Sequence, residues 1–274
     1  MIKRLYIDGY KSFKDCTINL KPLSIIFGPN GSGKSNLIDA VSFISALSQS
    51  KTIQDAFKEH RGYPLESFYY GEGGFEALMD KDSIILTIEV DVELSDITIE
   101  KVKKMILEKR KGLDEAKKKP IGFERHLRYK IVIEGFTKTG YLRVKEEKLY
   151  AIKEDGEINK RRKPFIETKE RKVAVRMEGQ GRPTNYDLGL DHTVVSEALY
   201  EPHYPHITAF KIESAGWRAY YLEPTMMRSA VAVQEARHIS RNGDNLSAFL
   251  NVIQFENKKI FDNYVKTVKS VLPQ

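Results

Sequence analysis

The sequence is short of cysteine, of tryptophan and of long apolar runs, and each shortage removes a class of protein. One cysteine, Cys16, in 274 residues excludes an internal disulfide framework and a cysteine-rich metal site. No apolar stretch approaches the roughly 18 to 20 residues of a membrane span, so no membrane partner is expected. The start, Met1-Ile2-Lys3-Arg4-Leu5-Tyr6-Ile7-Asp8, lacks the apolar core of a secretory leader. Internal repeats and low-complexity tracts are also missing. What remains is the expectation of a soluble, cytoplasmic, globular protein. Neither sign of charge is scarce: 45 Lys and Arg stand against 38 Asp and Glu, a net +7 that tolerates an anionic partner without requiring one. With 41% hydrophobic and 10% aromatic residues, the chain has enough apolar side chains for a real core.

The first 50 residues read as strand, bend, strand, glycine loop and helix. Ile2 to Ile7 is β-rich, Gly9 to Phe13 bends, and Thr17 to Leu20 is extended. Leu23-Ser24-Ile25-Ile26-Phe27 predicts a short strand covered on both faces. Ser35 to Leu47 predicts a helix with Leu37, Ile38, Ala40, Val41 and Ile44 on its buried stripe. From Ser83 to Leu94 and again from Leu127 to Glu134, apolar and polar residues alternate, which predicts half-exposed antiparallel strands. Tyr141–Val144, Leu149–Ile152 and Lys172–Met177 are further, weaker strand candidates. A basic helical insertion over Asp96–Lys119 interrupts this meander, with Ile99, Val102, Ile106 and Leu113 as its apolar stripe and Gly112 weakening it. Later the pattern turns helical. Asp191 is placed to cap a helix through Tyr200, Trp217–Leu222 suits a strand, Asp244 suits an N-cap, and Asn257 suits the start of a last helix.

One motif carries chemistry. Gly28-Pro29-Asn30-Gly31-Ser32-Gly33-Lys34-Ser35 fits the phosphate-binding loop (Walker A) at every fixed position. The glycines let successive N–H groups curl inward toward phosphate oxygens. The helix that follows adds the positive end of its dipole. Lys34 can reach β- and γ-phosphates, and the Ser35 hydroxyl can ligate Mg²⁺, which makes these two the catalytic candidates.

Residues 28 to 36, Gly-Pro-Asn-Gly-Ser-Gly-Lys-Ser-Asn, together with Gly9-Tyr10-Lys11-Ser12-Phe13-Lys14-Asp15, resemble the SMC/RecF-like branch of ABC-type ATPases. The likeness continues through Asn36-Leu37-Ile38-Asp39-Ala40-Val41. It returns at Arg241-Asn242-Gly243-Asp244-Asn245-Leu246, which is similar to a segment of bacterial predicted ATPases related to the overcoming-lysogenization-defect group. The resemblance implies an α/β P-loop NTPase, an ABC-ATPase-like head lobe with an antiparallel β-subdomain and a helical insertion. Residues 1–80 would be the nucleotide-binding core, 81–190 the β arm, and 191–274 the helical part of the head. It implies ATP and Mg²⁺ as cofactors, with Asn30 to Ser35 and Asn36 around the phosphates, Lys11 or Ser12 near the nucleotide, and Gln234 as a second Mg²⁺ contact. Its partners would be a second head in a homodimer, DNA, and a nuclease or toxin protein, in DNA repair or phage defence.

The chain departs from that pattern. Such ATPases also use an Asp-Glu pair after an apolar strand and a Ser-Gly-rich signature. No run of four apolar residues here ends in Asp-Glu, and Gly71-Glu72-Gly73-Gly74 lacks the serine. An N-terminal lobe, with the catalytic lobe truncated or supplied by another chain, is the expectation. Two rivals stay open: a nucleotide-binding regulatory or scaffold module with little hydrolysis, and a transporter ATPase subunit. The lysines of 96–119 and Lys160-Arg161-Arg162-Lys163 suit either a phosphate backbone or a solvated face. His203 and His206 read as polar loop histidines, Arg237, His238 and Arg241 as phosphate contacts or helix-entry residues, and Trp217, Tyr220 and Tyr221 as core and strand residues.

Overall fold

A computed structural model describes residues 1–58, 62–109, 122–170, 172–178 and 182–271. Its contacts divide the chain into two units, Met1–Trp217 and Arg218–Gln274.

The first unit is built on alternation. Strands β1 (Ile2–Asp8), β2 (Cys16–Asn19), β3 (Ser83–Glu93), β4 (His126–Phe136), β5 (Leu142–Ala151), β6 (Ile166–Lys169), β7 (Lys172–Val175) and β8 (Thr184–Asp187) form one sheet in the order β2-β1-β3-β4-β5-β6-β7-β8. Every neighbouring pair is antiparallel. Because side chains alternate faces, the register Ile7↔Ile88↔Ile131 lays one apolar row across the adjacent strands β1, β3 and β4, and all three residues are buried. The opposite face carries charge in matched positions. Asp91 lies between Arg4 and Arg128 and bonds both, with Arg4 Nε at 3.1 Å and Arg128 Nη2 at 2.6 Å. Glu146 takes Lys130 at 3.2 Å and Lys148 at 2.5 Å.

Helices α1 (Lys34–Gln49), α2 (Ile53–Lys58), α3 (Gly74–Met79), α4 (Asp96–Lys109) and α5 (Pro205–Ala215) complete this unit. Leu37, Ala40, Phe43, Ile44 and Leu47 of α1 join the core, while Ile38, expected on the buried stripe, is 38% exposed. The stripe runs through Phe43 instead, which stacks on Tyr10 and packs at a tilt against Phe57. In α4, Ile99, Val102 and Ile106 are buried as their spacing predicts; Gly112, Leu113 and Lys117 to Lys119 lie outside the described residues.

Several local expectations are corrected. Leu23–Phe27 forms no strand and is not covered; Leu23, Ile25 and Phe27 are 81%, 80% and 90% exposed. The two weak strand candidates at 141–144 and 149–152 are one strand, β5, continuous through Lys145-Glu146-Glu147-Lys148. Asp191 caps no helix; only a 3₁₀ turn, Val194–Ser196, forms, and Thr193 caps it. His206 is no loop histidine. It is fully buried at the start of α5, stacked on Phe165, with Nδ1 2.6 Å from Glu178 and Nε2 accepting the Glu124 N–H at 2.8 Å.

The second unit holds α6 (Pro224–Met227), α7 (Leu246–Glu256) and α8 (Lys258–Val271). Residues 217–222 are irregular rather than a strand, and Tyr220 is 44% exposed. Asn245, not Asp244, occupies the N-cap of α7; the Asp244 carboxylate accepts the Ser240 hydroxyl. Asn257 does start α8, its Oδ1 accepting the Ile260 N–H at 3.2 Å.

Candidate functional site

The glycine loop sits where its sequence requires, directly before α1. Gly31 (φ 81°) and Gly33 (φ 90°) adopt left-handed backbone that side chains with a Cβ disfavour. The Ser32 N–H turns back to Pro29 O at 3.3 Å, and Gly33, the N-cap of α1, offers its carbonyl to the Leu37 N–H at 3.0 Å. The first-turn N–H groups beyond Gly33 stand outside the helical ladder, which makes the loop mouth an anion-attracting end.

Lys34 folds over this loop. Its Nζ donates to Gly28 O at 2.8 Å and Pro29 O at 2.6 Å, and lies 3.4 Å from Ser32 Oγ. The ammonium therefore already stands among the atoms that would surround a phosphate chain, held by carbonyls it can exchange for phosphate oxygens. Gly28 through Ser32 and Ser35 are exposed, and Gly33, Lys34 and Asn36 are half-buried.

The bend between β1 and β2 forms the rear wall. Asn36 Nδ2 donates to Ser12 Oγ at 2.9 Å, and Lys11 Nζ pairs with Asp39 Oδ2 at 2.6 Å. A cleft of about 730 Å³ opens beside the loop, lined by Lys11, Ser12, Ser35, Asn36, Asp39 and Glu66 together with Tyr69, Tyr70 and Phe75. Tyr70 and Phe75 meet edge to face at 6.0 Å. This is a mixed wall suited to a flat, polar-edged ring next to an anion site. Lys11 and Ser12 line this cleft. Asp39 and the aromatic segment at 69–75 are additions that the motifs alone do not assign. A signal existed for Asp39: an acid set between Leu37, Ala40 and Phe43 on a helix's buried side demands a cation.

The remaining candidates belong to the second unit or to the basic segments of the first. Gln234 is exposed on an irregular stretch of the second unit. Arg241 covers the Tyr221 ring at 4.8 Å, Arg237 pairs with Glu235 at 2.6 Å, and the His238 carbonyl accepts Asn245 Nδ2 at 2.9 Å. Part of the basic charge that suggested nucleic acid is paired with acids. Lys109 pairs with Glu201 at 2.5 Å, Lys103 with Glu100 at 2.8 Å, and Arg162 with Glu178 at 3.0 Å. Among the described residues, no group of three or more His, Cys, Asp or Glu is placed to hold a metal ion. Among them too, no helix is long and apolar enough to cross a membrane.

Known proteins match the part of the chain that builds this site. The family model described as "RecF/RecN/SMC N terminal domain" matches residues 1–59. The chromosome partition protein Smc of Halothermothrix orenii is 33% identical over 105 residues, covering 37% of this chain and 8% of that protein. The DNA replication and repair protein RecF of Bifidobacterium adolescentis is 34% identical over 64 residues, 23% of this chain and 16% of its own. The chain thus spans a small fraction of the length of these curated relatives. The segment matched by the family model contains β1, the bend, β2, the glycine loop, and helices α1 and α2. The N-terminal region of this chain, residues 1–59, is thus similar to the N-terminal domain that RecF, RecN and SMC proteins share.

Proposed function

We propose that this chain is an ATP-binding head lobe, in which residues 28–36 wrap the nucleotide's phosphates and ATP drives the association of two heads. The observation that carries the reading is the Lys34 ammonium, held within the curl of Gly28–Ser32 at the N-terminus of α1. Lys34 would exchange its carbonyl partners for β- and γ-phosphate oxygens, and Gly31 and Gly33 permit the backbone approach. The cleft lined by Tyr69 and Tyr70 would take the base. Ser35, an exposed hydroxyl on the first helical turn, is a hard oxygen donor that fits Mg²⁺. Bound there, Mg²⁺ would neutralise charge on the β- and γ-phosphates.

Hydrolysis needs a further carboxylate to activate water. We assign that group to an element outside these residues, because no Asp-Glu pair follows an apolar run in this sequence. The exposed run Leu23, Ile25, Ile26 and Phe27, leading into the loop, supports a covering lobe: burying it would gain about 25 cal/mol per Å² of apolar surface. The output would be a DNA transaction, or control of a nuclease or toxin partner. The roles for which the matched proteins are named, chromosome partition and DNA replication and repair, favour DNA. A second reading, a regulatory module that binds ATP and hardly hydrolyses it, is favoured by the same missing Asp-Glu pair.

ATP turnover with and without duplex DNA separates these readings. The head-lobe reading expects negligible turnover by the 274-residue chain and DNA-stimulated turnover once a completing lobe is supplied. Turnover by the chain alone, abolished in Lys34→Ala, would overturn the need for that lobe.

A further inference from the structure

We infer that Asp39 is a positioning residue for the phosphate loop: through its ion pair with Lys11 it clamps the Gly9–Phe13 bend against Gly33. The inference rests on the reading of residues 28–36 as an ATP site.

Four observations converge. Lys11 has left-handed backbone (φ 47°), which costs a residue with a Cβ about 1–2 kcal/mol and persists only where surrounding contacts enforce it. Those contacts are present: the Lys11 N–H donates to Ser67 O at 2.8 Å and its Nζ meets Asp39 at 2.6 Å. The pair is largely out of water, with side chains 13% and 8% exposed, so its attraction is screened far less than that of a surface pair. The clamped bend touches the loop itself. A Cβ added at Gly33 would lie 2.9 Å from Ser12 Oγ and 3.5 Å from the Phe13 ring, and Ser12 Oγ accepts the Asn36 amide at 2.9 Å.

Asp39 follows Ser35 by four residues on α1, so the two share a helix face about one turn, or roughly 6 Å, apart. An unpaired carboxylate there would repel a phosphate chain. Lys11 therefore does two things: it neutralises Asp39 and it anchors the bend. Loss of the anchor frees Ser12 and Phe13 from Gly33, and the last turn of the loop loses its rear support. Preorganisation is what a phosphate loop contributes to affinity, so the effect belongs in ATP binding rather than in folding alone.

The test is ATP affinity, measured calorimetrically with Mg²⁺ on the full 274-residue chain, alongside thermal unfolding of each variant. Asp39→Asn and Ser12→Ala are expected to weaken ATP binding about tenfold while remaining folded. Lys11→Met should weaken it further, Lys11→Arg should stay within about threefold of the parent, and the double variant Lys11→Met/Asp39→Asn should not recover. Recovery in the double variant would mean charge neutralisation alone and would overturn the clamp. Parent-like ATP affinity in folded Asp39→Asn and Ser12→Ala would also overturn it, leaving the ATP reading intact. If Asp39→Asn does not fold, Ser12→Ala at its exposed position decides the same question without burying or stranding a charge. No ATP binding by the parent chain would overturn both.

Discussion

The sheet and the loop that precedes α1 are opposite kinds of structure within one unit. In the sheet, Ile7, Ile88 and Ile131 are buried shoulder to shoulder, and charges such as Asp91 are met by two guanidinium groups. From Lys21 to Ser32 every residue is exposed, and Leu23, Ile25 and Phe27 contribute little to any core. The difference separates two jobs. Stability resides in long-range packing, whereas the loop is a local backbone shape set by glycines, with one lysine folded over it. Substitutions should sort the same way, those in the sheet changing folding and those in the loop changing ligand binding.

The strongest break in that contrast is a core truncation. Ile131→Ala, at a fully buried position on the central strand β4, should cost about 3 kcal/mol of unfolding free energy in denaturant titrations. A comparable effect is expected from pH through Glu147. This carboxylate faces the core from β5, accepting the N–H groups of Val194 and Val195 and the Tyr129 hydroxyl. Burial pushes it up to about 7, Glu197 adds to the rise, and those hydrogen bonds hold it back. A carboxyl raised in the folded state keeps its proton where the unfolded chain has lost it. Its contribution to stability should therefore be fully present below about pH 4.5, be lost as pH rises toward 7, and level off above that. The fall would be on the order of 3 kcal/mol, and Glu147→Gln should remove this slope; an unchanged slope would reject the assignment.

A smaller effect is expected at the boundary between the two regions. Gly33→Ala must hold φ near 90° and bring a Cβ within 2.9 Å of Ser12 Oγ, so a loss of about 1–2 kcal/mol should accompany weaker ATP binding. The smallest belongs to the exposed run. Phe27→Ser should change stability by no more than about 0.5 kcal/mol, because the ring is 90% exposed. A loss of several kcal/mol there would show that the segment is packed after all.

Legibility in the sequence follows the range of the forces involved. The alternation in Ile84, Leu86, Ile88, Val90 and Val92 announces β3, because a two-residue period is local. The glycine loop is legible for the same reason: each residue acts on its immediate neighbours. Strand β5 looks broken because four successive charged residues hide an inward glutamate; the register slips beside Val132 and Ile133, and Glu147 comes to face the core. Helix α5 is hidden because it is enclosed on several sides, so it shows little amphipathic contrast, and its buried His206 is satisfied by residues far away in sequence. The run Leu23–Phe27 has the composition of a buried strand, but composition does not supply the covering partner. The Lys11–Asp39 pair joins residues 28 positions apart, a distance no local pattern reports.

If residues 28–35 form an ATP site, its affinity depends on Lys34 while the fold does not. The decisive experiment is Mg²⁺-ATP binding to the 274-residue chain and to its Lys34→Ala variant, with thermal unfolding of both. Saturable binding is expected for the parent, a loss of at least about a hundredfold for the variant, and unfolding midpoints that agree within a few degrees. Equal ATP affinity in the two proteins would contradict the assignment of the loop as the nucleotide site.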